Sequence, residues 1–295
     1  MERRRQEPLP LGEPDGMPYS KGLMARALLR AGVPAEPAYL LATRLELDLV
    51  ARETRAVELA RFEELASDVL GEAEGAAVVS RLRRQDALQG VDLPILLLLG
   101  GATGTGKSTV ATEVAHRLGI TRVTSTDFIR ETIRAFFPLA SMPVVHFSSF
   151  EAGASEAEAE AGFLEQTRRV LVGVEAAIER SLAEGWSMVI EGVHLVPGMV
   201  PADIEGALVV HAVLRLESDE AHRERFYVRD AATGGLRGMG KYLDAFDRIR
   251  LLQERIVERA ERSGVPVIES SNLERATAEL LECVVSASER RGALR

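Results

Sequence analysis

Residues Leu93–Ser108 read LPILLLLGGATGTGKS, and this stretch decides the fold. Leu93–Leu99 is an unbroken apolar run with no polar alternation. That is the signature of a strand buried on both faces, as in a parallel sheet covered by helices. Gly101-Ala102-Thr103-Gly104-Thr105-Gly106-Lys107-Ser108 follows at once and fits G-x-x-x-x-G-K-[ST]. Glycines at 101, 104 and 106 let successive backbone N–H groups turn inward around an anion. The helix expected over Lys107–Gly119 aims its positive end at the same point. The sequence therefore predicts a phosphate loop between a buried strand and a helix. Its backbone from Gly101 through Ser108 and Thr109 would cradle a nucleotide, Lys107 would reach the β- and γ-phosphates, and Ser108 would ligate Mg²⁺.

Downstream, strand and helix patterns alternate. Strands are expected at Thr121–Ser125, Trp186–Glu191, Ala207–Leu216 and Val265–Glu269. Helices are expected at Asp127–Phe137, Ser155–Glu184, Asp219–Arg229, Lys241–Ser263 and Leu273–Glu289. Strands separated by long helices imply an α/β parallel sheet flanked by helices. Upstream, Ser20 to about Leu88 reads as helical only, with Ser20 capping a first helix, Pro37 opening a second, and further helices over Arg52–Leu70 and Glu74–Arg84. Asp86–Asp92 reads as a polar linker. Residues 1–16 hold three prolines and two glycines and read as a tail. Three regions result: a tail over 1–16, a helical domain over 17–89, and an α/β domain over 90–295.

The ends of the predicted strands carry the other candidate residues, because ligands of open α/β sheets gather there. In Thr124-Ser125-Thr126-Asp127-Phe128-Ile129-Arg130, Asp127 is placed either to accept a proton from an attacking hydroxyl or to hold a metal-bound water. Arg130, one turn on, could fork onto an anionic substrate. In Val189-Ile190-Glu191-Gly192-Val193-His194, Glu191 stands where an acidic residue after a buried strand organises Mg²⁺ or acts on the acceptor. Which of Asp127 and Glu191 does which is open from sequence. Arg223, Arg225, Arg229, Arg237 and Lys241 flank or lie within a stretch carrying Gly234, Gly235, Gly238 and Gly240. Cations around such a stretch suggest a lid that brings positive charge onto a transferring phosphoryl group.

Composition narrows the function. The 295 residues carry 36 basic and 45 acidic side chains, a net charge of −9, and 5% aromatics. This disfavours a polynucleotide acceptor, which calls for a basic stripe with aromatics. The longest strongly apolar run, Ile95–Leu99, is far below the ~20 residues that span a bilayer. The first residues, Met-Glu-Arg-Arg-Arg, lead into a polar segment without an apolar core, so a cytoplasmic chain is expected. The one cysteine, Cys283, excludes an intrachain disulfide and reads as core. Only three of the basic residues are lysines, Lys21, Lys107 and Lys241. Two readings stand for the arginine excess: codon bias in a GC-rich genome, and retention of lysine only where an ammonium does what a guanidinium cannot.

GGATGTGKSTVATEVAHRLGITRVTSTDFIRETIRAF (100–136), VIEGVHLVPG (189–198) and RFYVRDAATGGLRGMGKY (225–242) together resemble the 2-phosphoglycerate kinase family. The likeness runs over essentially residues 17–295. It implies a P-loop kinase that uses ATP and Mg²⁺ to phosphorylate a small phosphorylated acid, 2-phosphoglycerate, to 2,3-bisphosphoglycerate. It also implies an N-terminal segment similar to an ATP-cone, carried by Met17-Pro18-Tyr19-Ser20-Lys21-Gly22. Such cones usually have a hairpin with basic residues before this point, whereas 11–16 has no Lys or Arg. The expected role of the helical domain is therefore packing, with Lys21 its one candidate nucleotide contact. Two other readings stand beside this one: a P-loop kinase for a different small-molecule or nucleotide acceptor, and a nucleotide-sensing regulator without transfer.

Overall fold

A computed structural model describes residues 11, 18–89, 93–153, 156–232 and 239–292. The chain divides into two compact units, 1–92 and 93–295.

The first unit is helical: α1 (Lys21–Arg30), α2 (Ala35–Ala51), α3 (Leu59–Leu70) and α4 (Glu72–Gln89). Ser20 caps α1 by accepting from the Leu23 amide. Met24, Leu28, Leu41, Leu45, Phe62 and Leu82 interlock in a core of their own. The helix expected from Arg52 starts only at Leu59. Arg52 ends α2, Glu53 turns into the left-handed region (φ 53°), and the Val57 amide donates to the Leu11 carbonyl. The polar linker expected over 86–92 is instead helical as far as Gln89; residues 86–89 hold no glycine or proline to end the helix earlier.

The second unit is built on five parallel strands in the order β2-β3-β1-β4-β5: β1 (Ile95–Gly101), β2 (Val123–Ser125), β3 (Met188–Glu191), β4 (Leu208–Arg215) and β5 (Val267–Glu269). Its helices are α5 (Lys107–Leu118), α6 (Thr126–Phe136), α7 (Glu156–Ala183), α8 (Asp219–Ala232), α9 (Met239–Asp244), α10 (Phe246–Arg262) and α11 (Leu273–Gly292). All seven residues of β1 are buried. Helices α5 and α11 cover one face of the sheet and α7 and α10 the other, which is why its sequence shows no alternation. Leu96 and Leu98 pack with Val170, Val174 and Ile178 of α7. Between α6 and α7 the chain makes two short 3₁₀ turns, Pro143–His146 and Ser149–Glu151. The single helix expected over Lys241–Ser263 is two, because the backbone of Ala245 leaves the helical region (φ −101°, ψ 13°). That turn drives Phe246 into a cluster with Phe150, Phe163 and Phe226. No helix among the described residues is long and apolar enough to cross a membrane.

Candidate active site

β1 sits at the centre of the sheet, so the loop leaving its carboxyl end lies over the middle of that edge. The 101–108 loop is held from beneath and from the side. The Thr105 hydroxyl donates to the Ala102 carbonyl at 2.9 Å. Ser270, just after β5, sets its hydroxyl 2.7 Å from the Thr105 carbonyl and 2.8 Å from that of Arg215. His222 of α8 approaches the Thr103 carbonyl at 2.7 Å. A carbonyl only accepts, so His222 Nε2 carries the proton. Gly104 is in the left-handed region (φ 89°), and a side chain there would meet His222 Nε2 and the Phe226 ring at 2.7 Å. The loop is thus pressed against α8, and Gly104 is the residue that permits it.

Lys107 opens α5 and is buried, with Nζ donating to the Ala102 carbonyl at 2.7 Å. Burial pushes its pKa below the ordinary lysine value, while the charges of Glu191 and Asp127 hold it up. Next to it, Ser108 Oγ donates to Glu191 Oε1 at 2.7 Å. The sheet register explains the meeting. Glu191 ends β3, opposite Leu99 of β1 on one side and Ser125 of β2 on the other. Two oxygen donors this close suit Mg²⁺, a hard cation usually held by one or two side-chain oxygens, with substrate phosphates and water completing its shell. Among the described residues no group of three or more His, Cys, Asp or Glu side chains is placed to hold a metal without such help.

β2 runs directly into α6. The N-cap is Ser125, whose hydroxyl accepts from the Phe128 amide at 3.1 Å, which leaves Asp127 free of the capping role. The Asp127 carboxylate is 65% exposed, 3.6 Å from Arg130 Nε, and its charge is felt by both Lys107 and His194. An open cleft of about 420 Å³ is lined by Ser108, Thr112, Val123, Thr124, Ser125, Phe128 and Glu191. Thr109 is exposed beside Ser108.

Arg130 departs from expectation. Its guanidinium is buried, with Nη1 donating to the carbonyls of Val145 (2.8 Å) and Phe147 (3.1 Å) and Nη2 to Glu131 (2.6 Å). Its Nε is buried without a hydrogen-bond partner, the Asp127 carboxylate standing 3.6 Å away, while the two terminal nitrogens are spent on Glu131 and on the chain between α6 and α7 and not on solvent. Of the expected lid cations, Arg225 lies over the phosphate loop. A side chain on Gly106 would meet its Nη1 at 3.5 Å, and its Nη2 donates to the Ser270 carbonyl at 2.9 Å. Lys241 pairs with Glu151 (2.8 Å) and donates to Ser148 (3.0 Å). Arg223 stacks on the Phe246 ring, 3.8 Å from its centre. Arg237 and the side chain of Arg229 lie outside the described residues.

Thr126, Gln166, His194, His222, Phe226 and Ser270 carry no motif of their own that sequence reasoning could single out. The only available signal was position: His194 lies three residues after Glu191, and Ser270 directly follows β5.

Among curated proteins, the 2-phosphoglycerate kinase of Pyrococcus furiosus is 34% identical over 275 residues, covering 91% of this chain and 90% of its own. That of Methanothermobacter thermautotrophicus is 36% identical over 262 residues, covering 86% and 85%. The chain belongs to the 2-phosphoglycerate kinase family. The 2-phosphoglycerate kinase of Methanopyrus kandleri is similar at 33% identity over 279 residues, covering 92% of this chain and 84% of its own. No protein-family model matches. Among solved structures, a gluconokinase from Sinorhizobium meliloti 1021 gives a TM-score of 0.41 at 15% identity, covering 68% of this chain and 98% of that one. Like the other members of the 2-phosphoglycerate kinase family, the chain is a phosphotransferase, which removes the non-catalytic sensor from consideration.

Proposed function

We propose that the chain transfers the γ-phosphoryl group of ATP to the free hydroxyl of 2-phosphoglycerate, giving 2,3-bisphosphoglycerate and ADP. One observation carries the reading: Lys107, Ser108 and Glu191 converge at the phosphate loop beside an open cleft. The named relatives supply the acceptor.

In the reaction the acceptor oxygen attacks the γ-phosphorus, the bond from that phosphorus to the β–γ bridging oxygen breaks, and the hydroxyl proton leaves. The work of the protein is positioning and charge compensation, with no covalent intermediate. The loop amides and Lys107 hold the β- and γ-phosphates. Burial favours handing Lys107 from the Ala102 carbonyl to a phosphate anion, which restores the charge partner that a buried ammonium needs. Ser108 and Glu191 would hold Mg²⁺, which when bound neutralises charge on the β- and γ-phosphates. Asp127 takes the acceptor proton; its carboxylate is exposed and close enough for its charge to act on Lys107. Arg225, over Gly106, adds positive charge at the phosphate loop. Arg130 and Lys241 hold the 143–151 segment rather than the acceptor itself.

A coupled assay of ADP release tests the reading, with Mg-ATP and a panel of 2-phosphoglycerate, 3-phosphoglycerate, glycerate and nucleoside monophosphates. Turnover is expected with 2-phosphoglycerate above the others. Preferential turnover of any other acceptor, or none with 2-phosphoglycerate, overturns it.

A further inference from the structure

Three side chains that the mechanism does not use form an unbroken hydrogen-bonded chain beneath the site. Thr126, His194 and Gln166 are each fully buried. Thr126 Oγ1 lies 2.8 Å from His194 Nδ1, and His194 Nε2 lies 2.9 Å from Gln166 Oε1. The Gln166 amide nitrogen reaches the carbonyls of Val144 and Phe147, the latter at 3.0 Å.

The direction of every bond follows from the last two. Carbonyls only accept, so the group facing them is the NH₂ and the oxygen of Gln166 faces His194. His194 Nε2 must then carry the proton, its Nδ1 accepts, and the Thr126 hydroxyl donates. Every donor in the chain has an acceptor, and reversing one bond would leave two like groups facing each other.

The chain joins four segments: α6 at Thr126, between the cleft-lining Ser125 and Phe128; the segment after β3, three residues from Glu191; α7 at Gln166; and residues 144–147 between α6 and α7. Thr126 is also fixed from behind. Gly192 has φ 156°, and a side chain there would overlap Thr126 Oγ1 and Cβ. The carbonyls of Val144, Val145 and Phe147 are all taken by Gln166 or Arg130. A turn with its backbone acceptors committed to side chains has its position set by those side chains. An apolar filling would occupy the same volume without fixing a direction.

We propose that Thr126, His194 and Gln166 are positioning residues that set the first turn of α6, which carries Asp127 and borders the cleft, against the 143–151 segment, and so govern acceptor binding without touching nucleotide binding. The inference rests on the proposed acceptor, and its test separates the two.

The variants are Thr126→Val, which removes the donor to His194 at equal size; Thr126→Ser, which keeps it; and Gln166→Glu, which still accepts from His194 but cannot donate to the two carbonyls. Thr126→Val and Gln166→Glu are expected to raise the KM for 2-phosphoglycerate about tenfold and leave the KM for Mg-ATP within about twofold, with Thr126→Ser close to wild type. In Gln166→Glu, amide hydrogen exchange is expected to quicken over 143–151 and stay unchanged over 95–118. Equal rises in both KM values, wild-type kinetics in both variants, or Thr126→Ser as damaged as Thr126→Val would overturn the proposal. If Thr126→Val does not fold, Gln166→Glu decides. If the wild type does not phosphorylate 2-phosphoglycerate, the acceptor reading fails and the exchange pattern alone decides the positioning role: quickening confined to 143–151 upholds it, and spread over both segments or absence overturns it.

Discussion

Ser108 Oγ donates to Glu191 Oε1 across 2.7 Å, from the first turn of α5 to the end of β3. Residues 83 positions apart are brought together only because β1 and β3 are neighbours in register. Glu191→Gln keeps a carbonyl oxygen for Ser108 but removes the charge that opposes a divalent cation. Turnover is expected to fall about 10²-fold or more with the fold intact. Steady-state kinetics against Mg²⁺ concentration will show it as a raised Mg²⁺ requirement; an unchanged requirement would remove Glu191 from metal binding.

Lys107→Met should abolish transfer. The replacement fills most of the same buried space, so circular dichroism and Tm should stay near wild type, while kcat falls about 10³-fold through loss of the cation facing the transferring group. Residual turnover within tenfold of wild type would be incompatible with the phosphate-loop role.

Gly192→Ala tests the contact behind Thr126. The backbone there has φ 156°, and the new methyl would overlap the Thr126 side chain. Strain and overpacking together are expected to cost about 2 kcal/mol or more, read as a lowered denaturant midpoint at unchanged slope.

Acidification should destabilise the protein before its carboxylates titrate. Burial pushes the pKa of His194 and of His211 down to about 4, and lowers that of His222. The folded state holds these rings neutral while the unfolded state binds protons near the ordinary value of about 6.5, so the unfolded state gains protons first as pH drops. Their contribution is complete above about pH 6.5 and is lost as pH falls towards 4. The depressed carboxylates, Asp48, Glu151 and Glu165, act only below their ordinary values of 3.8 and 4.5. Tm is expected to fall between pH 7 and pH 5. A flat profile there would show that these rings stay accessible to protons.

The helical unit is expected to bind no nucleotide. Lys21, its one candidate contact, is paired with Glu46 at 2.9 Å. Isothermal titration of the full chain with Mg-ATP should give one site, unaffected by Lys21→Ala; a second site lost in that variant would give the unit a regulatory role.

The central strand, the phosphate loop and α5 are legible because their signals are local: an apolar run, four glycines, a lysine and a serine within sixteen residues. Glu191 is legible because it directly follows a buried run. What sequence cannot display is partnership at a distance. Arg130 reads as a free fork until the structure shows the carbonyls of Val145 and Phe147 filling it. Gln166 is one polar residue within the 28 of α7, and only its place opposite His194 distinguishes it. The break at Ala245 carries no glycine or proline to announce it, so the turn that brings Phe246 into an aromatic cluster shows only in the structure.

The scarcity of lysine gives the protein a chemical reporter. Lys21 and Lys241 are exposed and ion-paired, whereas Lys107 is buried at the phosphate loop with its Nζ on the Ala102 carbonyl. An acylating reagent delivered on a nucleotide phosphate would meet one side-chain amine at its destination, and a soluble ester would meet the other two. Trypsin does not cut after an acylated lysine. A single peptide running from Gln85 to Arg117 would then report nucleotide occupancy by mass alone, with the arginine-rich remainder of the chain serving as its internal standard.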